Sequence, residues 1–460
     1  MAFATKMNSS SIPITPITKS ELTKQKKLNI NIKYKWFEKV GFSAGSGTIC
    51  YLPETENFPF EIFVGVEESD ETGGGIWDLA GLPKSLPSGR YYLNKELSPS
   101  AATRACIGWG LGTYTFDKYK KQNKLKTELV WPISADKKDV NRIILGINLT
   151  RDLINTPAND MAPEDLVKVS RQLAKDHKAK ITIISGSDLL RKNYPSIHAV
   201  GRASASKPSL IDLKWGKTDA PKVTLVGKGV CFDSGGLDIK PASGMLNMKK
   251  DMGGAAQVLG LAHMIMDAKL PIRLRVLVPA VENAISGNAF RPRDVLQTRK
   301  GLTVEVGNTD AEGRLVLSDA LTEATRDKPS MIIDFATLTG AARVAMGTDV
   351  PALFCNDDQL ADSLIQYGTE TEDPLWRLPL WAGYRSMLKS EVADLSSTGS
   401  TPYGGAITAA LFLEHFVEPN TPWAHIDLMS YNNNTRPGRP EGGEAQGIRG
   451  IYHMLKDRFS

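Results

Sequence analysis

The sequence predicts an α/β fold with two parts. One is a larger C-terminal domain with a central mixed, largely parallel sheet flanked by helices, and the other is a smaller α/β domain at the N-terminus. Three observations predict it. From about residue 139 onward, short apolar runs alternate with stretches of helical periodicity, the pattern of strands joined by crossover helices. Before that point the texture differs, with strand-like runs and a single helical patch. The length, 460 residues, is enough for two or three domains and at least one large core.

Taken in order, residues 1–138 read as the N-terminal domain, and residues 1–28 of it as a loose tail. The opening "MAFATKMNSSSIPITPITKS" is rich in Ser and Thr, poor in acids, and lacks the compact apolar core of a signal peptide. "FEIFVGVEE" (60–68) is strand-like and "SAATRACIGWGLGTY" helical. "DVNRIILGINLTRDLIN" (139–155) reads as a helix joining the two domains, broken by "TPAND" and Pro163. Residues 139–460 then carry the strand-like runs "KITIISG", "SLIDLKW", "KVTLVGKG", "IRLRVLVPAVEN", "LTVEVGNTD", "MIIDFATLTG" and "WAHIDLM". Helix candidates lie at 253–268, 313–326, 404–417 and 446–457.

Composition excludes several classes. Hydrophobic residues are 41% and charged residues 23%, as in ordinary globular proteins. Lys+Arg 56 against Asp+Glu 51 leaves +5, which does not argue for nucleic acid. The one basic cluster, "TKQKKLNINIKYKW" (23–36), reads as a solvated lysine face. Cys50, Cys106, Cys231 and Cys355 are far apart with no CxxC pair, which fits reduced, buried thiols and a cytoplasmic protein. No apolar run approaches the ~18 residues of a membrane span.

Chemistry concentrates in a few stretches. "NTDAEGRL" (308–315) sets Asp310, Glu312 and Arg314 at alternate positions, which in an extended chain leave from one side. A strand-like run precedes it and a helical pattern follows, so the acids belong at the end of a strand, where open α/β sheets keep their ligands. "VGKGVCFDSGGLDIK" (226–240) delivers Lys228 and Asp233 at the end of another strand, among glycines that permit tight turns. GxxxxGK[ST] is absent, which argues against nucleotide binding. "NMKKDMGGAAQVLGLAHMI" puts Asp251 just ahead of a helix. Taken singly, Asp251 is a helix cap, Lys228 a surface lysine and Asp233 a turn residue. Together, four carboxylates at the junctions of one sheet would repel one another unless dications compensate. Oxygen ligands suit Mg²⁺ or Mn²⁺, and Zn²⁺ also accepts carboxylates. None of the six histidines forms HExxH.

These blocks, with "DFATLTGA" and "RDLINTPAND", resemble the leucine aminopeptidase (cytosol aminopeptidase) family of two-metal exopeptidases over most of 139–460. The resemblance implies a catalytic domain in which one metal uses Lys228, Asp233, Asp251 and Glu312. The other uses Asp233, Asp310 with its backbone carbonyl, and Glu312. Lys240 and Arg314 become the catalytic residues that bind no metal, Arg314 holding a bicarbonate that acts as general base. The resemblance further implies peptide substrates with a free N-terminus and a homohexamer. Four carboxylates against two dications are close to neutral, and a water between the ions would be deprotonated near neutral pH.

By the same resemblance, Met248, Asn308, Thr337 and Gly340 line the region that holds the N-terminal side chain and peptide backbone. Where the family commonly carries an Ala-Gly pair after "WAHID", this chain has Met429 and Ser430 following Leu428, which predicts a reshaped side-chain preference. Two rivals are weaker. "GFSAG" (41–45) matches GxSxG but lacks the strand-to-helix context of a nucleophile elbow. A DNA-binding role, known in some members of this family, has only the 23–39 lysines and the aromatic–basic "KYKWF" behind it.

Overall fold

The computed structural model describes residues 2–27, 32–54, 60–68, 74–123 and 125–460. They form two compact units, 1–148 with 433–441, and 149–432 with 442–460. The division falls within the helix Lys137–Asn155.

In the first unit, β1 (Phe3–Ala4), β2 (Ile12–Ile17), β3 (Ile49–Leu52), β4 (Glu61–Gly65), β5 (Gly89–Leu93) and β6 (Thr127–Val130) make one sheet in the order β1-β6-β5-β2-β4-β3. All neighbours run parallel except β3 and β4. The expected loose tail is corrected here. β2 lies inside the sheet, paired with β5 on one side and β4 on the other. Ile14 and Ile17 are buried, and Leu22, from the helix Lys19–Lys27, packs in a cluster with Phe37, Phe42 and Phe63. Pro13 and Pro16 disguise this strand, because proline cannot donate to a ladder and seldom occupies an interior strand. Residues 28–31, in the middle of the lysine-rich stretch, lie outside the described residues. "GFSAG" occupies an irregular stretch between the helix Ile32–Lys39 and β3, with Ser43 exposed and no helix following. It is not a nucleophile elbow.

The second unit holds β7 (Lys180–Ser185), β8 (Ser209–Trp215), β9 (Lys222–Gly227), β10 (Gly229–Asp233), β11 (Arg273–Asn283), β12 (Val295–Gln297), β13 (Thr303–Glu305), β14 (Met331–Ala336), β15 (Ala352–Cys355), β16 (Trp376–Arg377), β17 (Leu395–Ser396) and β18 (Trp423–Asp427). Nine of them form a mixed sheet in the order β16-β15-β18-β14-β9-β11-β8-β7, with β10 also on β11. Its centre, β18-β14-β9-β11 and β10, is wholly parallel, and β15, β8 and β7 add antiparallel pairings at the flanks. The helices Gly253–Ala268 and Glu312–Thr325 pack on the central strands, whose residues are buried almost throughout. This is why "KVTLVG" and "MIIDFA" are continuously apolar rather than alternating. The parallel strands end along one edge of the sheet, and that edge carries Lys228, Asp233, Thr337 and the 427–430 segment.

One expectation is corrected here as well. The strand before "NTDAEGRL" is not part of the main sheet, because β13 pairs with β12 and β17 in a separate three-stranded sheet. All four cysteines are free and buried. No helix among the described residues is long and apolar enough to cross a membrane.

Candidate metal centre

Lys228 occupies the single residue between β9 and β10 and is held from both sides. Its N–H donates to Phe335 O (2.9 Å), and its carbonyl accepts from Ala255 N (2.8 Å). This clamp requires the helix Gly253–Ala268 to abut the strand ends, and Gly254 makes that possible. A Cβ at Gly254 would lie 2.0 Å from Phe335 O and 2.7 Å from Lys228 N. Gly254→Ala is therefore expected to lower stability by about 1–3 kcal/mol through forced backbone movement. Activity should fall with it because Lys228 shifts. Thermal unfolding of the metal-free protein checks this, and an unchanged midpoint would contradict it.

The Lys228 ammonium reaches Asp251 Oδ2 (2.7 Å), Glu312 Oε1 (2.8 Å) and Thr337 O (3.1 Å). Gly313 leaves it room, since a Cβ there would sit 2.5 Å from Lys228 Cε. Asp251 lies in the short helical turn Met248–Met252. It is not a helix cap; its Oδ1 accepts from the Thr337 hydroxyl (2.7 Å). Asp233 closes β10, and its Oδ1 accepts from Asn283 Nδ2 (2.8 Å) at the end of β11. Lys240 bridges Asp233 Oδ2 (2.8 Å) and Asp310 Oδ1. Carboxylate oxygens of Asp233, Asp310 and Glu312 all lie within 4.8 Å of one another.

The residues of "NTDAEGRL" converge, but not as an extended chain. Asp310 sits in a turn, where Ala311 N donates to Asn308 O (3.1 Å). Glu312 opens the helix Glu312–Thr325, and Arg314 lies in its first turn. A turn followed at once by a helix, rather than alternation along a strand, directs Asp310 and Glu312 to one place.

The electrostatics are strained without cations. Burial, together with the charge of Asp233, pushes the Glu312 carboxyl up to about 8. Burial and the nearby Asp251 likewise raise Asp233. Burial would depress Lys228, but Asp251, Glu312 and Asp233 outweigh it and hold the ammonium above its ordinary value. The same balance, with Asp233 and Asp310, raises Lys240. Four acids thus face the ammonium groups of Lys228 and Lys240, with that of Lys250 farther off, 4.0 Å from Asp251 Oδ1. Neither oxygen of the buried Glu312 accepts a hydrogen bond among the described residues, and its Oε1 has only the Lys228 ion pair. A buried carboxylate left in this state is costly. An oxygen-rich, net-negative cluster of this kind fits divalent cations.

Arg314 is buried. Its Nη1 donates to Ser397 O (2.7 Å), whereas its Nε has no acceptor among the described residues. Burial, opposed by Glu312 and Asp427, brings the guanidinium down to about 10. Of the expected pocket residues, Gly340 opens the helix Gly340–Met346, and the other four divide into two groups. Met248 and Met429 are buried and apolar. Thr337 is committed to Asp251 and Lys228, and Asn308 Oδ1 accepts the Asp310 N–H (2.7 Å), so these two brace acids instead of presenting free polar groups. Ser430, where the resemblance expects glycine, adopts φ 56°, a conformation glycine takes more readily.

Sequence reasoning missed Asn283, which braces Asp233, and gave no place to the buried Lys250 or to Arg343 beside Met429. Asn283 was visible as the polar end of "LVPAVEN". Arg343 stands three residues after Gly340, on the same face of a short helix. Lys250 gave no signal, because its neighbour Lys249 has the same side chain and only the fold shows which one is buried.

Comparison with known proteins identifies the family. The model of the cytosol aminopeptidase family catalytic domain matches residues 148–452, and that of the M17 aminopeptidase N-terminal domain matches 12–132. A probable cytosol aminopeptidase of Roseiflexus castenholzii is 41% identical over 384 residues, covering 79% of this chain and 78% of the relative. The crystal structure of a cytosol aminopeptidase from Coxiella burnetii is 49% identical with a TM-score of 0.93 and full coverage of both chains. The bottromycin maturation enzyme BotP, in complex with Mn, is 30% identical with a TM-score of 0.87, covering 98% of this chain and 100% of BotP. The chain belongs to the cytosol aminopeptidase (M17) family of metal-dependent aminopeptidases.

Proposed function

We propose that this protein removes the N-terminal residue, leucine-like or otherwise apolar, from peptides with a free N-terminus, using two divalent ions held by the cluster described above. The observation that carries this reading is the convergence of Asp233, Asp310 and the under-satisfied buried Glu312, with Asp251 joined to Glu312 through Lys228. Asp233, Asp251 and Glu312 would hold one ion together with Lys228, which can join them only as the free amine, its proton displaced by the ions' charge. Asp233, Glu312 and Asp310, through its side chain and backbone carbonyl, would hold the other. Manganese and zinc are the first candidates, with magnesium the third. The ions supply Lewis acidity and bring the pKa of a bound water toward neutrality.

The remaining steps fall to the chain's own residues. The Lys240 ammonium, already beside Asp233 and Asp310, is placed to donate to the oxygen that gains charge when the peptide carbonyl is attacked. Arg314, whose Nε–H has no acceptor among the described residues, would hold a bicarbonate, which would supply general-base chemistry. Thr337 fixes Asp251, and Asn283 fixes Asp233. A cytoplasmic homohexamer is the assembly in keeping with the family resemblance.

A chelator is expected to abolish hydrolysis of leucine amide, and Mn²⁺, Zn²⁺, Mg²⁺ or Co²⁺ to restore it to different extents. Serine-directed inhibitors should do nothing. Full activity of a metal-free preparation would end this reading. Met429 sets a second expectation. Because its buried side chain occupies apolar space where a smaller residue would leave a deeper pocket, Met429→Ala should raise kcat/KM for phenylalanine arylamide relative to alanine by about tenfold. Alanine, leucine, methionine and phenylalanine arylamides measure it, and an unchanged profile would contradict it.

A further inference from the structure

Away from the metal centre, two histidines meet on the opposite edge of the main sheet. His177 follows the helix Pro163–Asp176, and His263 lies in the second half of the helix Gly253–Ala268. His177 Nε2 stands 3.1 Å from His263 Nδ1, with the rings edge to face. Asp267, one turn beyond His263, projects from the same face of that helix. Burial pulls the His177 imidazole below its ordinary value, opposed by the charges of Asp267 and Asp176. His177 is therefore neutral at pH 7, the form in which imidazole binds metals. Asp176, His177 and Asp267 border a cavity of about 690 Å³ between the end of β8 and the starts of β9 and β11, with Trp215 and Met266 on its apolar side. None of these residues takes part in the chemistry above.

We propose that His177, His263 and Asp267 form a further metal site, for Zn²⁺ or a similar transition-metal ion, at the far end of the helix that starts at the carboxylate centre. Two imidazole nitrogens on one tetrahedral zinc, with bonds of about 2.0–2.1 Å, lie about 3.3 Å apart, and this pair is already close to that spacing. The N–H between the rings would shift to the other nitrogen of its own ring, so that both imidazoles stay neutral and each presents a lone pair. Asp267 is exposed, and rotation of its side chain would bring a carboxylate oxygen to the ion as third ligand. Water from the cavity would complete the coordination. Lys178, Lys217 and Lys269 on the rim are exposed, so solvent screens their repulsion. Imidazole donors suit zinc here, whereas the oxygen-rich centre also accepts manganese or magnesium. The bound ion would pin the end of the helix Pro163–Asp176 to the helix Gly253–Ala268, whose first turn clamps Lys228 about 15 Å away along the axis.

The test counts zinc in the full-length protein after it is stripped with a chelator, reloaded with Zn²⁺ and desalted. His177→Ala and His263→Ala are each expected to hold one zinc per chain fewer than the wild type, whatever the carboxylate centre retains. Asp267→Ala should lose the same ion. Crystals soaked with Zn²⁺ should give an anomalous peak about 2.0–2.1 Å from both His177 Nε2 and His263 Nδ1. His177 is only half-buried and lies past the end of its helix, so His177→Ala carries the test if His263→Ala fails to fold. Equal zinc content in the wild type and a folded histidine variant overturns the proposal, as does an anomalous map with peaks only among the carboxylates. A histidine variant that loses more than one ion overturns it too, because the histidines would then be acting on the carboxylate centre. An Asp267→Ala protein with full zinc content overturns the proposed ligand set.

Discussion

Exchanging Asp310 for asparagine is expected to cut kcat/KM for leucine amide by about 10²- to 10³-fold, the several kcal/mol that a well-placed ion contributes. The metal-free protein should keep its thermal midpoint. The side chain of Asp310 is 34% exposed and its backbone is held by Asn308, so the isosteric amide disturbs little packing. The ion pair with Lys240 is the only described salt bridge lost, and a partly exposed pair contributes about 1 kcal/mol or less. What changes is the centre's charge. One of the four carboxylates becomes neutral at the position proposed to hold only the second ion, while Lys228, Asp251 and Glu312 remain intact around the first. Calorimetric titration with Mn²⁺ should therefore show one site retained and one weakened, and raising the metal concentration should restore part of the rate. Two undiminished sites with full activity would remove Asp310 from the centre.

How far the sequence revealed this arrangement depended on what each residue type encodes. Interior parallel strands are buried on both faces, so "KVTLV", "MIIDF" and "WAHID" stand out as apolar runs and were placed correctly as β9, β14 and β18. β2 was hidden because Pro13 and Pro16 argue against an interior strand, although Ile14 and Ile17 anchor it. β10 was hidden for another reason: only Lys228 separates it from β9, so the two read as one run.

At the site, the acids singled out at strand ends and ahead of helices come together: Asp233, Asp310 and Glu312 cluster, and Asp251 joins Glu312 through Lys228. The geometry inferred for Asp310 and Glu312 does not hold. Alternate spacing suggested an extended chain, whereas "NTDA" forms a turn and Glu312 starts a helix. The resemblance supplied roles for Lys228 and Lys240 that charge alone could not. The burial of Lys250 and the contact between Arg343 and Met429 depend on tertiary packing, for which a charged residue in a sequence gives no sign.

Lys240→Ala should give the complementary result: kcat lower by about 10²- to 10³-fold, the usual cost of removing a donor aimed at developing negative charge, with KM changed far less. This ammonium pairs with Asp233 and Asp310, and those acids hold it above the ordinary lysine value, so it is protonated throughout the neutral range. When dications compensate the same acids, the lysine is left free to act on the substrate. Its removal therefore takes nothing from the ligand set, and it withdraws a positive charge that competes with the ions. Mn²⁺ titration of Lys240→Ala should show two sites with affinity equal to or higher than that of the parent, and added metal should not restore the rate. The pair of variants thereby separates holding the ions from using them. Asp310→Asn is expected to lose occupancy and respond to metal, while Lys240→Ala keeps occupancy and does not. If Lys240→Ala instead loses a metal site, or regains its rate when Mn²⁺ is raised, the lysine belongs to the scaffold of the centre and the oxyanion must find its donor elsewhere.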